Sequence, residues 1–103
     1  MSRTIVVLGM MAKLPVPGVA WQTLHYLVGL RRLGFEVLYV EAHARTPTML
    51  MRRPEDDGAA LAARYLDGVL GPHGIRWAFH ALHDDGRVLG AGEGDLRRAY
   101  REA

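Results

Sequence analysis

The run TIVVL at Thr4–Leu8 stops at Gly9, crosses a loop broken by Pro15, Pro17 and Gly18, and leads into an apolar helical pattern. A continuous β-branched run marks a strand covered on both faces, the kind found in parallel sheets. Residues 10–18 read as loop, and Pro17 restrains Val16 to extended geometry. From Val19 to Leu33 the stripe Ala20, Leu24, Leu27 and Arg31 is widened by Trp21, Val28 and Leu30, so the helix is expected to be substantially covered. Arg31 and Arg32 in the last turn complement the helix dipole, and Gly34 supplies a left-handed cap. Phe35–Glu41, FEVLYVE, restarts as a strand. Strand, loop, helix, tight turn and strand make a βαβ unit with an expected right-handed crossover.

The remaining chain continues the alternation. The stretch AHARTPTMLMRRPEDDG is irregular and bounded by Pro47 and Pro54. A second helix is expected from Asp57 to Leu70, with Leu61, Tyr65, Leu66 and Val69 at helical spacing, ending at Gly71-Pro72. Ile75–Leu82 reads as a third strand. Asp85-Gly86 is a hairpin-type turn signal, and RVLG is a short return strand after it. Beyond the connector GAGEG, Asp95 is placed as the N-cap of a last helix, LRRAYREA. The fold class is therefore α/β: a partial Rossmann-like unit with a small, mostly parallel three-stranded sheet and packed helices. Residues 1–103 are read as one domain, itself incomplete, because a doubly wound pattern calls next for another buried strand. In the usual doubly wound order that omission leaves an open edge beside the first strand.

Composition narrows the function classes. The net charge is +2, and the arginines are scattered in doublets at Arg31-Arg32, Arg52-Arg53 and Arg97-Arg98. A nucleic-acid binder clusters its cations along one stripe with interleaved aromatics, so no nucleic-acid partner is expected. The chain has no cysteine, which excludes disulfides, thiolate metal sites and cysteine nucleophiles and fits a cytoplasmic protein. The run from Ile5 to Ala12 is too short to span a bilayer.

The loop after the first strand opens at the carboxyl end of that strand onto a helix N-terminus, where ligands of open α/β sheets bind. It reads equally as a plain βα connection. GMMAKLPVPG has neither dinucleotide nor P-loop spacing. Gly90, Gly92 and Gly94 lack that spacing too, and Glu93 and Asp95 would repel an anion there. His80 and His83 point to opposite faces of a strand, and His25, His43 and His73 lie on different elements, so no metal site is expected. Trp21 and His25, four apart, share one helix face, and Glu41 ends the second strand at the same edge of the sheet. Their alternatives are a core Trp and a simply hydrogen-bonded His. No nucleophilic triad or paired-carboxylate spacing stands out, so the residues alone establish no enzyme.

The stretch IVVLGMMAKLPVPGVAWQTLHYLVGLRRLGFEVLYVE resembles the start of bacterial glycosyltransferase-like proteins of the GT-B type. The likeness runs through Gly9, Pro17, Gly18, Ala20, Trp21, Leu24, Tyr26, Gly29, Leu30, Leu33, Gly34, Val37 and Glu41. AARYLDGVLGPHGIRWAFHALHDDGRVLG is similar to the same family's continuation, less distinctly. Such proteins often carry His just after the Trp and in an LGH turn, whereas this chain has Gln22, Thr23 and Phe35 there. The resemblance implies the acceptor-side segment of an enzyme that transfers a sugar from a nucleotide-sugar donor. Pro17, Gly18, Trp21, His25 and Glu41 would be its substrate-binding contribution, with nucleotide sugar and acceptor as partners of the intact protein. Catalytic residues are not identified, and no cofactor is expected. Because the donor is held mostly by a second domain, the 103-residue chain is expected to be inactive alone. The alternative is a non-catalytic subunit domain that self-associates through its open sheet edge.

Overall fold

A computed structural model describes residues 3–43, 50–53, 55–82 and 86–103. The elements run β1 (Thr4–Leu8), α1 (Pro17–Arg32), β2 (Glu36–Ala42), α2 (Gly58–Leu70), β3 (Arg76–His80), β4 (Val88–Gly90) and α3 (Glu93–Glu102). A single 3-10 turn over Gly71–His73 joins α2 to β3. The sheet has four strands in the order β1-β2-β3-β4, not three. The first three are parallel, and β4 returns antiparallel on β3, with Phe79 opposite Leu89. The RVLG segment thus supplies a full member of the sheet.

Side-chain alternation along the strands builds two cores. Val7, Val37, Tyr39, Phe79 and Leu89 face α1 and α2, where they meet Leu27, Ala59, Ala62, Leu66 and Leu70. Val6, Leu38, Val40, Ala78 and Val88 face α3 through Leu96 and Ala99. The result is three layers, with two helices on one face and one on the other. Strand β2 is the centre of this arrangement, buried from Val37 through Glu41.

The helix ends differ from the sequence expectation in instructive ways. Pro17 is the first residue of α1 rather than loop, because its fixed φ suits the first helical position and its missing N–H is not needed there. Val16 is the extended N-cap, and its carbonyl accepts the Ala20 N–H at 3.1 Å. At the other end Gly34 is left-handed (φ 94°), and its N–H donates to the Arg31 carbonyl. Coverage of α1 is less than its composition suggests. Leu27 is its one buried residue, and Trp21 and Tyr26 are each 60% exposed. The helix rests on β2 and α2 along one stripe, and the aromatic surplus lies outside it. For α3, Gly92 is the N-cap, and Asp95 falls inside the first turn. There Glu93 and Asp95 complement the helix dipole and pair with Arg97 and Arg98. Asp57 is the N-cap of α2, accepting the Ala60 N–H at 3.1 Å. His83 and Asp85, along with Pro47 and Pro54, lie outside the described residues.

Candidate functional site

The carboxyl ends of β1 and β2 are joined by a buried polar network. Tyr39, Glu41 and His43 are alternate residues running off the end of β2, so they project on one side. Glu41 is fully buried. One of its oxygens, Oε2, accepts the Ala12 N–H and the Tyr39 hydroxyl, each at 2.8 Å. The other, Oε1, lies 2.8 Å from His43 Nε2. The Tyr39 hydroxyl in turn accepts the Met11 N–H at 3.0 Å. Two backbone donors of the loop after β1 are therefore satisfied by β2 side chains, and Met11 and Ala12 are themselves fully buried. A buried carboxylate is tolerated where its lone pairs are filled, and here they are filled by an amide, a phenol and an imidazole.

Gly9 belongs to the same contact. A Cβ built there would stand 2.5 Å from the Tyr39 hydroxyl oxygen and 2.7 Å from its Cε1. The absence of a side chain lets the loop lie flat on the phenol. Burial, and then the negative charge of Glu41, push the Tyr39 hydroxyl well above its ordinary ionisation range. Tyr65 is raised for the same two reasons. His43 also sets its ring against Phe79, centroid to centroid 5.9 Å and edge-on at 62°. The Glu41 carboxylate fixes the His43 ring at the carboxyl edge of the parallel sheet.

The sequence candidates divide into two groups. Trp21 and His25 come together as a stacked pair, centroids 5.3 Å apart and 26° between planes, on the exposed surface of the second turn of α1. Pro17 and Gly18 sit just before them at the exposed helix start, in a first turn without a side-chain cap. Glu41 does not join that surface. It lies beneath the loop, and its partners are Ala12, Tyr39 and His43. The aromatic pair thus stands on α1, and Glu41 holds the loop that leads into that helix at Ala12. Tyr39 and His43 escaped the sequence reading, although their alternate spacing around Glu41 on a strand was a legible signal.

A separate cleft of about 280 Å³ lies at the opposite, amino ends of the strands. It mixes Arg76 and Arg98 with Glu36, Asp95 and Glu102, so it presents no single charge to a ligand. Among the described residues no group of three or more His, Asp or Glu side chains is placed to hold a metal ion. No helix among them is long and apolar enough to cross a membrane. Compared with models of known protein families, with curated proteins and with solved structures, the chain has no match.

Proposed function

We propose that the chain forms the acceptor-side wall of a glycosyltransferase-like cleft, serving transfer of a sugar from a nucleotide-sugar donor to an acceptor hydroxyl. The observation that carries this reading is the Trp21–His25 stack, with Trp21 60% exposed at the carboxyl end of the sheet. An exposed indole offers a flat apolar face bordered by polar groups, which suits the C–H face and hydroxyl rim of a sugar ring. The loop that leads into this platform is held from beneath by Glu41 and Tyr39, so the surface is presented on a fixed scaffold. Glu41 acts here as a positioning residue, through the loop.

The resemblance in the first forty residues supports the reaction class, and the exposed Trp21–His25 pair supports an acceptor resting there. Titration of a Trp77→Phe variant with methyl hexosides, followed by Trp21 emission, tests the reading. A saturable change that vanishes in His25→Ala supports it. No saturable response at millimolar sugar overturns it.

A further inference from the structure

We propose that β1 pairs with β1 of a second copy of this chain, antiparallel and about a two-fold axis at Val6, so that two four-stranded sheets become one. This goes beyond the sugar reading, and a monomer would leave that reading standing.

The argument begins with a mismatch. TIVVL has the composition of a strand covered on both faces and flanked on both sides. Instead β1 is the edge of the sheet, with β2 as its one neighbour among the described residues. None of its five residues is fully buried, and Leu8 is 70% exposed. Edge strands are ordinarily blunted by Lys, Pro, a bulge or an inward charge. Thr4–Leu8 has none of the residues that do this.

The unpaired backbone groups can be assigned. The Arg3 carbonyl accepts the Glu36 N–H at 2.8 Å, and the Gly9 N–H donates to the Val40 carbonyl at 3.1 Å. Since successive residues of a strand aim their backbone groups to opposite sides, the odd-numbered residues of β1 serve β2. Thr4, Val6 and Leu8 therefore turn their N–H and C=O groups to the open edge. A two-fold axis at Val6 sets Val6 against the partner's Val6 and Thr4 against the partner's Leu8. Each is then a hydrogen-bonded pair exchanging two N–H···O bonds. The same register sets Ile5 beside the partner's Val7 on the α1 face. Arg3 falls opposite the partner's Gly9, so no like charges meet. A second copy thus meets every free donor and acceptor of the edge with its complement.

Light scattering on the purified chain at about 100 µM, a concentration suited to weak edge pairing, reads the outcome directly. The expected mass is twice the 11.4 kDa of the chain. Val6→Pro removes an N–H that the β1–β2 ladder does not use, and Leu8→Lys adds an edge charge on an already exposed side chain. Both are expected to give monomers with circular dichroism unchanged, and Leu8→Lys keeps the test valid if Val6→Pro does not fold. The chain has no native cysteine. Val6→Cys therefore places one thiol at the axis, where the Cα separation of about 5.5 Å suits a disulfide. Oxidation should cross-link it to completion, and Ile5→Cys should stay largely uncross-linked. A monomeric wild type, open-ended aggregates, a dimer unmoved by both edge variants, or a dimer in which Val6→Cys does not cross-link would each overturn the proposal.

Discussion

The Glu41 carboxylate accepts the Ala12 N–H at 2.8 Å across a sequence separation of 29 residues. With the Tyr39 hydroxyl beside it, this one carboxylate makes the first βα loop a dependent of the second strand.

Replacing Glu41 by Ala removes the acceptor of the Ala12 N–H and of the Tyr39 hydroxyl in a buried site. Losing a buried hydrogen-bond acceptor costs about 1–3 kcal/mol. Urea unfolding of Glu41→Ala should therefore show a loss of about 2 kcal/mol or more. Glu41→Gln keeps one acceptor oxygen and should lose less. A variant as stable as the parent would remove the latch from the account.

Gly9→Ala tests the close approach from the other side. Tyr39 is fully buried and cannot swing away from an added methyl. Overpacking of this kind costs about 1–3 kcal/mol. The double variant Gly9→Ala/Tyr39→Leu should recover part of that loss in thermal unfolding, because the obstructing ring is gone.

Alkaline titration should resolve Tyr39. Its ionisation is raised by burial and by Glu41, so the neutral phenol is favoured in the folded chain. Stability from this group is fully present below the ordinary tyrosine value of 10.0 and is lost as pH rises beyond it. Absorbance at 295 nm follows the phenolates as they form. A late step should coincide with unfolding and be missing its largest part in Tyr39→Phe. A single early step for all tyrosines would contradict the buried phenol.

Asp57 predicts the opposite limb. The Ala60 N–H is the largest influence and holds its carboxyl below the ordinary value of 3.8; burial, next in size, opposes it, and Arg87 adds to the lowering. Its contribution is present above that value and is lost as pH falls through the lowered one. Asp57→Ala should cost about 1 kcal/mol at neutral pH through loss of the cap. In Asp57→Asn the cap should survive while the Arg87 pair is lost, and acid sensitivity should weaken.

Most of the architecture was legible because its signals are local. The β-branched run fixed Thr4–Leu8, Gly34 marked the end of α1, and Asp57 marked the start of α2. Misreadings came where two local rules compete. Pro17 breaks a helix interior but begins one well, and Asp95 is a good cap that serves here in the first turn behind Gly92. The apolar surplus of α1 suggested cover, but cover depends on what lies across from a helix, which its own residues do not encode. In the site, the Trp21–His25 pair followed from four-residue spacing. The separation of Glu41 from that pair did not, because it depends on how the loop folds over the end of β2.

The latch also orders events in time. During synthesis Met11 and Ala12 emerge well before Tyr39 and Glu41, which follow them by 28 and 29 residues respectively. Until β2 has left the ribosome the loop lacks the Tyr39 hydroxyl and the Glu41 carboxylate that these two amides meet in the folded chain. Its structure arrives with the whole βαβ unit as one cooperative step. A chain stalled between the first helix and the second strand would carry the loop without the side chains that hold it.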